Sequence, residues 1–550
     1  MSIKNYGIYL SYAPGIDLRH EGLGRYLAAF LKGANGRNDV RFVIVCPSWS
    51  REALEELLEH EDVPPEGFEV ISPPTSPLIL KFYQWLSNRK KRKSRPSLVD
   101  RMLNALNKAT TGARNYWEQR IIRVHTYSQA ALVSVEAAGW ALLALTLLIA
   151  LSPLISLATI MLICHMCYRR ILIRLRPLNK RLGKLRQALS APKNDNFVLQ
   201  LYTAMDAAES TRMLDIVNSR SDIKAWYCPT AFWPAVNQIK APKLICVPDL
   251  VLVNFPLGFS DMGGDRTLST FQKINQTIQD GQYFVTYSQH VKNETLVQQF
   301  CVPSSNVEVI PHAPNRVDQW LNVTGFADNL IASRSYAKFL LQSAVNDKQP
   351  PYTSKFGNSD FKFLFYASQF RPNKNIITLL RAYKHLLRKR LLPHKLILTG
   401  NPNHLPEVRD YIAKHELQND VLCLHGLSIQ KLSACYKLAD LAVNPSLSEG
   451  GCPFTFTEAL SVDTPAIMAR IPVTEEILTD PELRKETLFD PFDHMALARH
   501  IERALEHREE LLAFQKEFYK NLIDRTWVNV VDEHVRVLDL ISNKVADVQT

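Results

Sequence analysis

A chain of 550 residues is long enough for two domains and a further element, and with 46% apolar and 22% charged residues it is not a disordered polymer. Nine cysteines scattered from Cys46 to Cys452 make neither a disulfide framework nor a metal-ligand pattern, and an odd count without a leader-like N-terminus points to a reducing, cytosolic compartment. The net charge of +11 is concentrated: residues 81–193 hold 21 Lys/Arg against Asp100, Glu118 and Glu136, a local +18 that leaves −7 for the rest, so charge around a nucleic-acid cleft is not expected.

Residues 6–10 read as the first strand, followed by Glu21-Gly22-Leu23-Gly24-Arg25 and a helix beginning near Tyr26. Glycines before a helix let backbone N–H groups approach a phosphate or sugar, although such GxG turns are common. Strands at 41–46 and 68–71 come next.

The basic segment follows. Residues 137–168 are 32 positions without Asp, Glu, Lys or Arg, interrupted by Ser152-Pro153. A buried core helix rarely runs so far without a polar face, which favours a membrane segment. The strands before and after it belong to one sheet, so the chain must return to the side it left. Each arm of 15 residues spans roughly 22 Å, short of a hydrocarbon core of about 30 Å, and a re-entrant hairpin fits better than two full spans. Arg89–Lys93 and Arg95 before the run, and Arg169, Arg170, Arg174 and Arg176 after it, put both ends on the cytoplasmic face of an inner membrane, against anionic lipid. Leu175, Leu178, Leu182, Leu185 and Leu189 add an amphipathic stripe, for the membrane interface or a partner helix. Cys164 and Cys167, though spaced CxxC, are apolar residues of the run.

Beyond the insert, strands are expected at 197–201, 224–227, 244–247, 283–287 and 307–310, and then at 361–366, 395–399, 421–424, 441–443, 465–468 and 488–489. Helices alternate with them, as at 375–389 and 429–438. This is the α/β pattern of two Rossmann-like halves facing across a cleft. The expected boundaries are 1–75 and 196–345 for the first half, 76–195 for the insert, 346–522 for the second half, and 523–550 for a helix crossing back to the first.

Three further constellations carry chemistry. Val309-Ile310-Pro311-His312-Ala313-Pro314-Asn315 leaves a strand towards the joint between the halves, where His312 meets the cleft or caps a turn. Arg371-Pro372-Asn373-Lys374-Asn375 follows a strand and opens a helix. Two cations beside a helix N-terminus can hold a pyrophosphate, though an exposed basic loop would look the same. Asn444–Leu460 is a strand end, then a loop with Glu449, Gly450 and Gly451, then a helix from Phe454 with Glu458 one or two turns in. Two carboxylates so placed can accept hydrogen bonds from sugar and ribose hydroxyls, and the glycines argue for close ligand approach.

Taken in order, Gly22-Leu23-Gly24-Arg25-Tyr26, Thr286-Tyr287-Ser288, Val309-Ile310-Pro311, Arg371…Lys374-Asn375, Leu398-Thr399-Gly400, Leu424-His425-Gly426, Pro445-Ser446…Glu449-Gly450, Glu458-Ala459-Leu460, Thr464-Pro465 and Asp490-Pro491 resemble the landmarks of the family 4 retaining glycosyltransferases of GT-B fold. The resemblance covers nearly everything except the insert. It implies a hexosyltransferase using a nucleotide-diphosphate sugar and no metal or other cofactor, with a lean towards mannose from a guanosine donor. Arg371 and Lys374 would neutralise the leaving diphosphate, Glu458 would bind the ribose, and Glu449 would hold the transferred sugar. Gly22, Gly24, Gly450 and Gly451 would lie along the donor.

The chain departs from that pattern twice. Eight residues separate Glu449 from Glu458 where the family has seven, and Pro248-Asp249 stands where a His-Asp pair is common. The second departure leaves the donor preference and the role of Asp249 open, and Asp249 and His312 are candidate acceptor or sugar contacts. The overall expectation is an enzyme of surface-glycan, storage-glycan or lipid-linked sugar synthesis. The contrasting readings are a GT-B scaffold that has lost transfer, and a soluble enzyme whose apolar run is an oligomer interface.

Overall fold

A computed structural model of the chain describes residues 3–18, 22–78, 80, 116, 127–150, 197–347 and 361–549. They include two parallel sheets. The first has the order β3-β2-β1-β4-β5-β6-β7, built from β1 (Lys4–Tyr9), β2 (Val40–Val45), β3 (Phe68–Ile71), β4 (Ile223–Cys228), β5 (Lys243–Cys246), β6 (Tyr283–Thr286) and β7 (Val307–Val309). The second has the order β10-β9-β8-β11-β12-β13, from β8 (Phe363–Tyr366), β9 (Lys395–Leu398), β10 (Val421–Cys423), β11 (Leu441–Asn444), β12 (Ala466–Ala469) and β13 (Leu488–Phe489).

Parallel strands covered on both faces must be apolar on both faces. In β8, Phe363 and Phe365 join one core cluster while Leu364 and Tyr366 join the other. The covering helices are amphipathic. Helix Ile376–Lys389 buries Ile376, Leu379, Leu380, Tyr383 and Leu386 on one stripe and ends with Arg388 and Lys389, which complement the helix dipole. Burying each such leucine contributes roughly 1.5–3 kcal/mol.

In each sheet the chain order reverses beside the first strand, at β1/β4 and at β8/β11. Ligands of open α/β sheets bind beyond the strand C-termini at such reversals. The segment after β8 carries Arg371 and Lys374, and the segment after β11 carries Glu449 and Gly450. Topology thus brings together two constellations far apart in sequence.

Three sequence expectations change. Residues 197–201 are not a strand but open helix Phe197–Ser219. Phe197 and Val198 favour strands locally, yet the helix-forming run through Ala204-Met205-Asp206-Ala207-Ala208-Glu209 continues, and Met213, Leu214 and Val217 bury against the sheet. The first glycine helix begins at Gly22 and not near Tyr26, so Gly22 and Gly24 sit in its first turn. The helix that carries the first apolar arm begins before 137, at Tyr127. The remainder of the expected hairpin, its basic flanks, the leucine stripe at 175–189, Glu21, and most of the 346–360 linker lie outside the described residues.

The chain forms two compact units, residues 77–192 and the remainder. In the smaller one, helix Tyr127–Ala150 exposes Leu132, Val135, Trp140 and Leu142. Among the described residues no helix is long and apolar enough to cross a membrane. In the larger unit the last helix, Trp527–Gln549, returns to the first sheet. Its Val530, Val531, Val535, Leu538 and Ile541 pack with Tyr6, Phe30 and Phe42.

Candidate functional site

The turn after β8 is set by Asn375, whose φ of 52° lies in the left-handed region that asparagine tolerates. Its side chain donates to the Pro491 carbonyl at 2.8 Å, and the Leu447 amide donates to the Asn373 carbonyl at 2.8 Å. The turn and the loop after β11 are therefore tied directly. Across this tie, Lys374 Nζ lies 2.7 Å from Glu449 Oε1 and 3.3 Å from Ser446 Oγ. Arg371 donates to the Gln369 side chain at 2.8 Å, beside the same turn.

The glycine loop leans on the first lobe. A methyl built on Gly450 would stand 2.6 Å from the Pro248 carbonyl carbon, closer still to its oxygen, and 3.4 Å from Asp249 Cβ. One built on Gly451 would stand 2.9 Å from Tyr287 Cβ and 3.1 Å from His312 Nε2. Only glycine allows both approaches. By contrast a methyl on Gly22 meets nothing within 4 Å among the described residues, and Gly24 lies close against the preceding turn, its added methyl falling 3.0 Å from the Leu18 carbonyl carbon.

Asp249 therefore sits beside Gly450 and within the field of Lys374, Glu449 and Arg371. Burial raises its carboxyl above the ordinary range, Lys374 and Arg371 oppose this, and Glu449 adds to it. His312 packs between Tyr287, at 5.4 Å between ring centroids, and Phe454, at 4.4 Å. Its Nδ1 pairs with the Ala313 carbonyl at 3.0 Å, and burial lowers its pKa. It both shapes the turn and faces the glycine loop.

Glu458 is 2% exposed, on helix Phe454–Ser461. Its Oε1 accepts from Asn315 Nδ2 at 2.6 Å and from Arg25 Nη1 at 3.3 Å. Burial and this carboxylate hold the Tyr436 phenol well above its usual pKa. Arg25, Asn315 and Tyr436 were not among the expected site residues. Arg25 and Asn315 did lie within the flagged constellations, whereas Tyr436 carried no signal. Glu476 was also missed: its two oxygens accept the amides of Gln289 at 2.8 Å and His290 at 3.0 Å, bridging the lobes.

The site thus joins two cations and two carboxylates from one lobe with Asp249, His312 and Arg25 from the other. Such a set can neutralise a leaving diphosphate and accept hydrogen bonds from polyol hydroxyls.

The chain is 26% identical over 183 residues to the lipopolysaccharide 1,2-N-acetylglucosaminetransferase of Salmonella typhimurium, covering 30% of this chain and 47% of that protein. It is 34% identical over 89 residues to the O-antigen chain mannosyltransferase RfbU of the same organism, covering 16% of this chain and 25% of that protein. The chain therefore spans about half the length of one curated relative and a quarter of the other. Among solved structures, a glycosyltransferase from Rickettsia africae matches with a TM-score of 0.52 at 11% identity, over 98% of this chain and 99% of that one. Anabaena Alr3699/HepE, solved with UDP and glucose, matches with a TM-score of 0.53 at 11% identity over the same shares. These likenesses are of fold, the GT-B arrangement of two parallel-sheet lobes. The family model described as "Glycosyl transferases group 1" matches residues 352–521, which places a glycosyltransferase domain on the lobe carrying Arg371, Lys374, Glu449 and Glu458.

Proposed function

We propose that the protein is a retaining glycosyltransferase that moves a hexose from a nucleotide-diphosphate sugar to a glycan or lipid-linked acceptor at the cytoplasmic face of a membrane. The observation carrying the transfer reading is the Arg371–Lys374 turn and the Glu449 loop at neighbouring strand ends, facing Asp249, with Glu458 on the helix that follows the loop. Arg371 and Lys374 neutralise the departing diphosphate. Glu458 takes the ribose hydroxyls and Glu449 the transferred sugar. Asp249 and His312 meet the sugar or the acceptor. Retention is read from the resemblance to family 4. The relatives named for N-acetylglucosamine and mannose transfer, and the fold relative solved with UDP and glucose, favour a hexose donor and a surface polysaccharide as product.

A screen of nucleotide sugars by thermal shift finds the donor, because a ligand of the native state stabilises by mass action. With that donor, Lys374→Ala is expected to lower turnover by about 100-fold, the usual loss when one charge-stabilising group is removed. Equal turnover in the variant sinks the transfer reading and favours a lapsed scaffold.

The membrane reading is supported by helix Tyr127–Ala150, with Leu132, Val135, Trp140 and Leu142 exposed, within a segment of local charge +18. Anionic lipid is the partner this charge fits. Intact protein that stays in solution without detergent would refute it and favour an oligomer interface.

A further inference from the structure

The two donors on Glu458 come from different lobes. Asn315 Nδ2, at 2.6 Å, and Arg25 Nη1, at 3.3 Å, both reach Oε1. Asn315 moves with Glu458: its amide donates to Thr457 Oγ1 at 3.2 Å, the Val317 amide donates to Ser461 Oγ at 3.1 Å, and Val317 and Leu321 lie in the core of the second lobe. Residues 315–317 are thus laid along helix Phe454–Ser461. Arg25 belongs to the first lobe. It stands in the first turn of helix Gly22–Ala34, where Tyr26 and Leu27 join that lobe's core. Parting the lobes would leave Glu458 with Asn315 and remove Arg25.

The movable donor matters for what the carboxylate can do. A carboxylate has about four lone-pair sites, so two donors on one oxygen still leave acceptor capacity for hydroxyls. The last torsion of a glutamate is broad, and one donor alone lets the group swing; a second, arriving from another direction, fixes its plane. A carboxylate 2% exposed also needs a cation, and Arg25, with 35% of its side chain exposed, supplies the charge at little desolvation cost of its own. One nitrogen at 3.3 Å is longer than the roughly 2.7–2.9 Å of a full charge-assisted bond, so closer approach of the lobes strengthens the hold.

We propose that Arg25 is a positioning residue of the nucleotide site: held against Glu458 when the lobes meet, it fixes the carboxylate for the 2′-hydroxyl, so that selection of ribose over 2′-deoxyribose by the second lobe depends on a side chain of the first. The assignment rests on the reading of Glu458 as the ribose acceptor. It makes recognition of the nucleotide and closure of the lobes parts of one event.

The test is calorimetry on the full chain in detergent with UDP, GDP and their 2′-deoxy forms, for the wild type, Arg25→Met, Arg25→Lys and Glu458→Gln. The wild type should prefer the ribonucleotide by about tenfold or more, the usual worth of a hydrogen bond to a charged group. Arg25→Met keeps the apolar stem and should shrink the preference to within about threefold by weakening the ribonucleotide alone, since an unfixed acceptor keeps little of that bond. Arg25→Lys, which keeps the charge and perturbs folding least, should hold an intermediate preference. Equal weakening of both nucleotides in Arg25→Met is what a merely structural contact gives, and it overturns the proposal. So does tighter ribonucleotide binding in that variant, which would make Arg25 a competitor of the ribose, and so does Arg25→Lys with no more preference than Arg25→Met. Glu458→Gln separates the two levels. If it keeps the full preference, or if the wild type shows none or binds neither nucleotide, the ribose reading of Glu458 fails. If the preference falls in Glu458→Gln and stands in Arg25→Met, only the role of Arg25 fails.

Discussion

Gly450→Ala isolates the contact on which the interlobe site depends. Gly450 is absent from the left-handed positions, so alanine suits its backbone and the effect is purely steric. The added methyl lies 2.6 Å from the Pro248 carbonyl carbon, whereas carbon atoms rest at about 3.5–4.0 Å. Something must move by on the order of 1 Å. Neither backbone yields easily. Val247, next to Pro248, donates to the Val285 carbonyl at 2.8 Å, and Leu447 in the glycine loop donates to Asn373 at 2.8 Å. The lobes must therefore part, and overpacking of this kind costs about 1–3 kcal/mol. That cost falls on lobe closure and not on the folding of either lobe, so kcat/KM should drop by about 10- to 100-fold with little change in Tm. Gly451→Ala should do less, because the His312 ring 3.1 Å away can turn aside. Donor kinetics with small-angle scattering of both variants decide the matter. Full activity in Gly450→Ala, or the reverse order of the two, would refute the reasoning.

Two other expectations follow from single side chains. His534 is fully buried between the edges of Phe30 and Tyr227, and burial pulls its pKa down from 6.5 to about 4. The unfolded chain thus binds a proton that the folded chain refuses as pH falls from about 6.5 to 4, and on the order of 3 kcal/mol of stability should be lost across that window. His534→Phe should flatten the Tm–pH profile there, and an unchanged slope would contradict this. Glu458→Gln should weaken nucleotide binding by about 10- to 100-fold in calorimetry, since a hydrogen bond to a charged group is worth roughly 1.5–3 kcal/mol; undiminished affinity would remove Glu458 from the ribose.

The strands were legible because parallel sheets are written as short, nearly continuous apolar runs. The exception, 197–201, failed because Phe197 and Val198 were outweighed by the helix that continues after them. In the candidate site, spacing within one loop was readable, and the structure brings Lys374 against Glu449. Partners were not readable. Arg25 and Glu458 are 433 positions apart, and Gln289 meets Glu476 across 187, distances at which local pattern carries no information. Nor could sequence separate the glycines: among the described residues nothing approaches Gly22, while Gly450 presses on a carbonyl.

The ion pair between Lys374 and Glu449 makes one last distinction possible. At 2.7 Å the ammonium is held by the carboxylate that is expected to take the sugar, not the phosphates. A diphosphate arriving at Lys374 would compete with Glu449 for the same charge. Glu449, once released, would be free to accept from a sugar hydroxyl, so grip on the phosphate and grip on the sugar are coupled through a single exchange. Glu449→Gln removes the competitor without removing the cation. Nucleoside diphosphate without sugar should then bind as tightly as to the wild type or several-fold tighter, because interactions of the order of 1 kcal/mol no longer have to be broken. Transfer should nevertheless fall, because the sugar loses its acceptor. This is the opposite of Glu458→Gln, where affinity for the bare nucleotide drops. Calorimetry with UDP and GDP, set against turnover for both variants, separates the two carboxylates. If Glu449→Gln loses nucleotide affinity in step with turnover, Glu449 is holding Lys374 in place and the exchange does not occur.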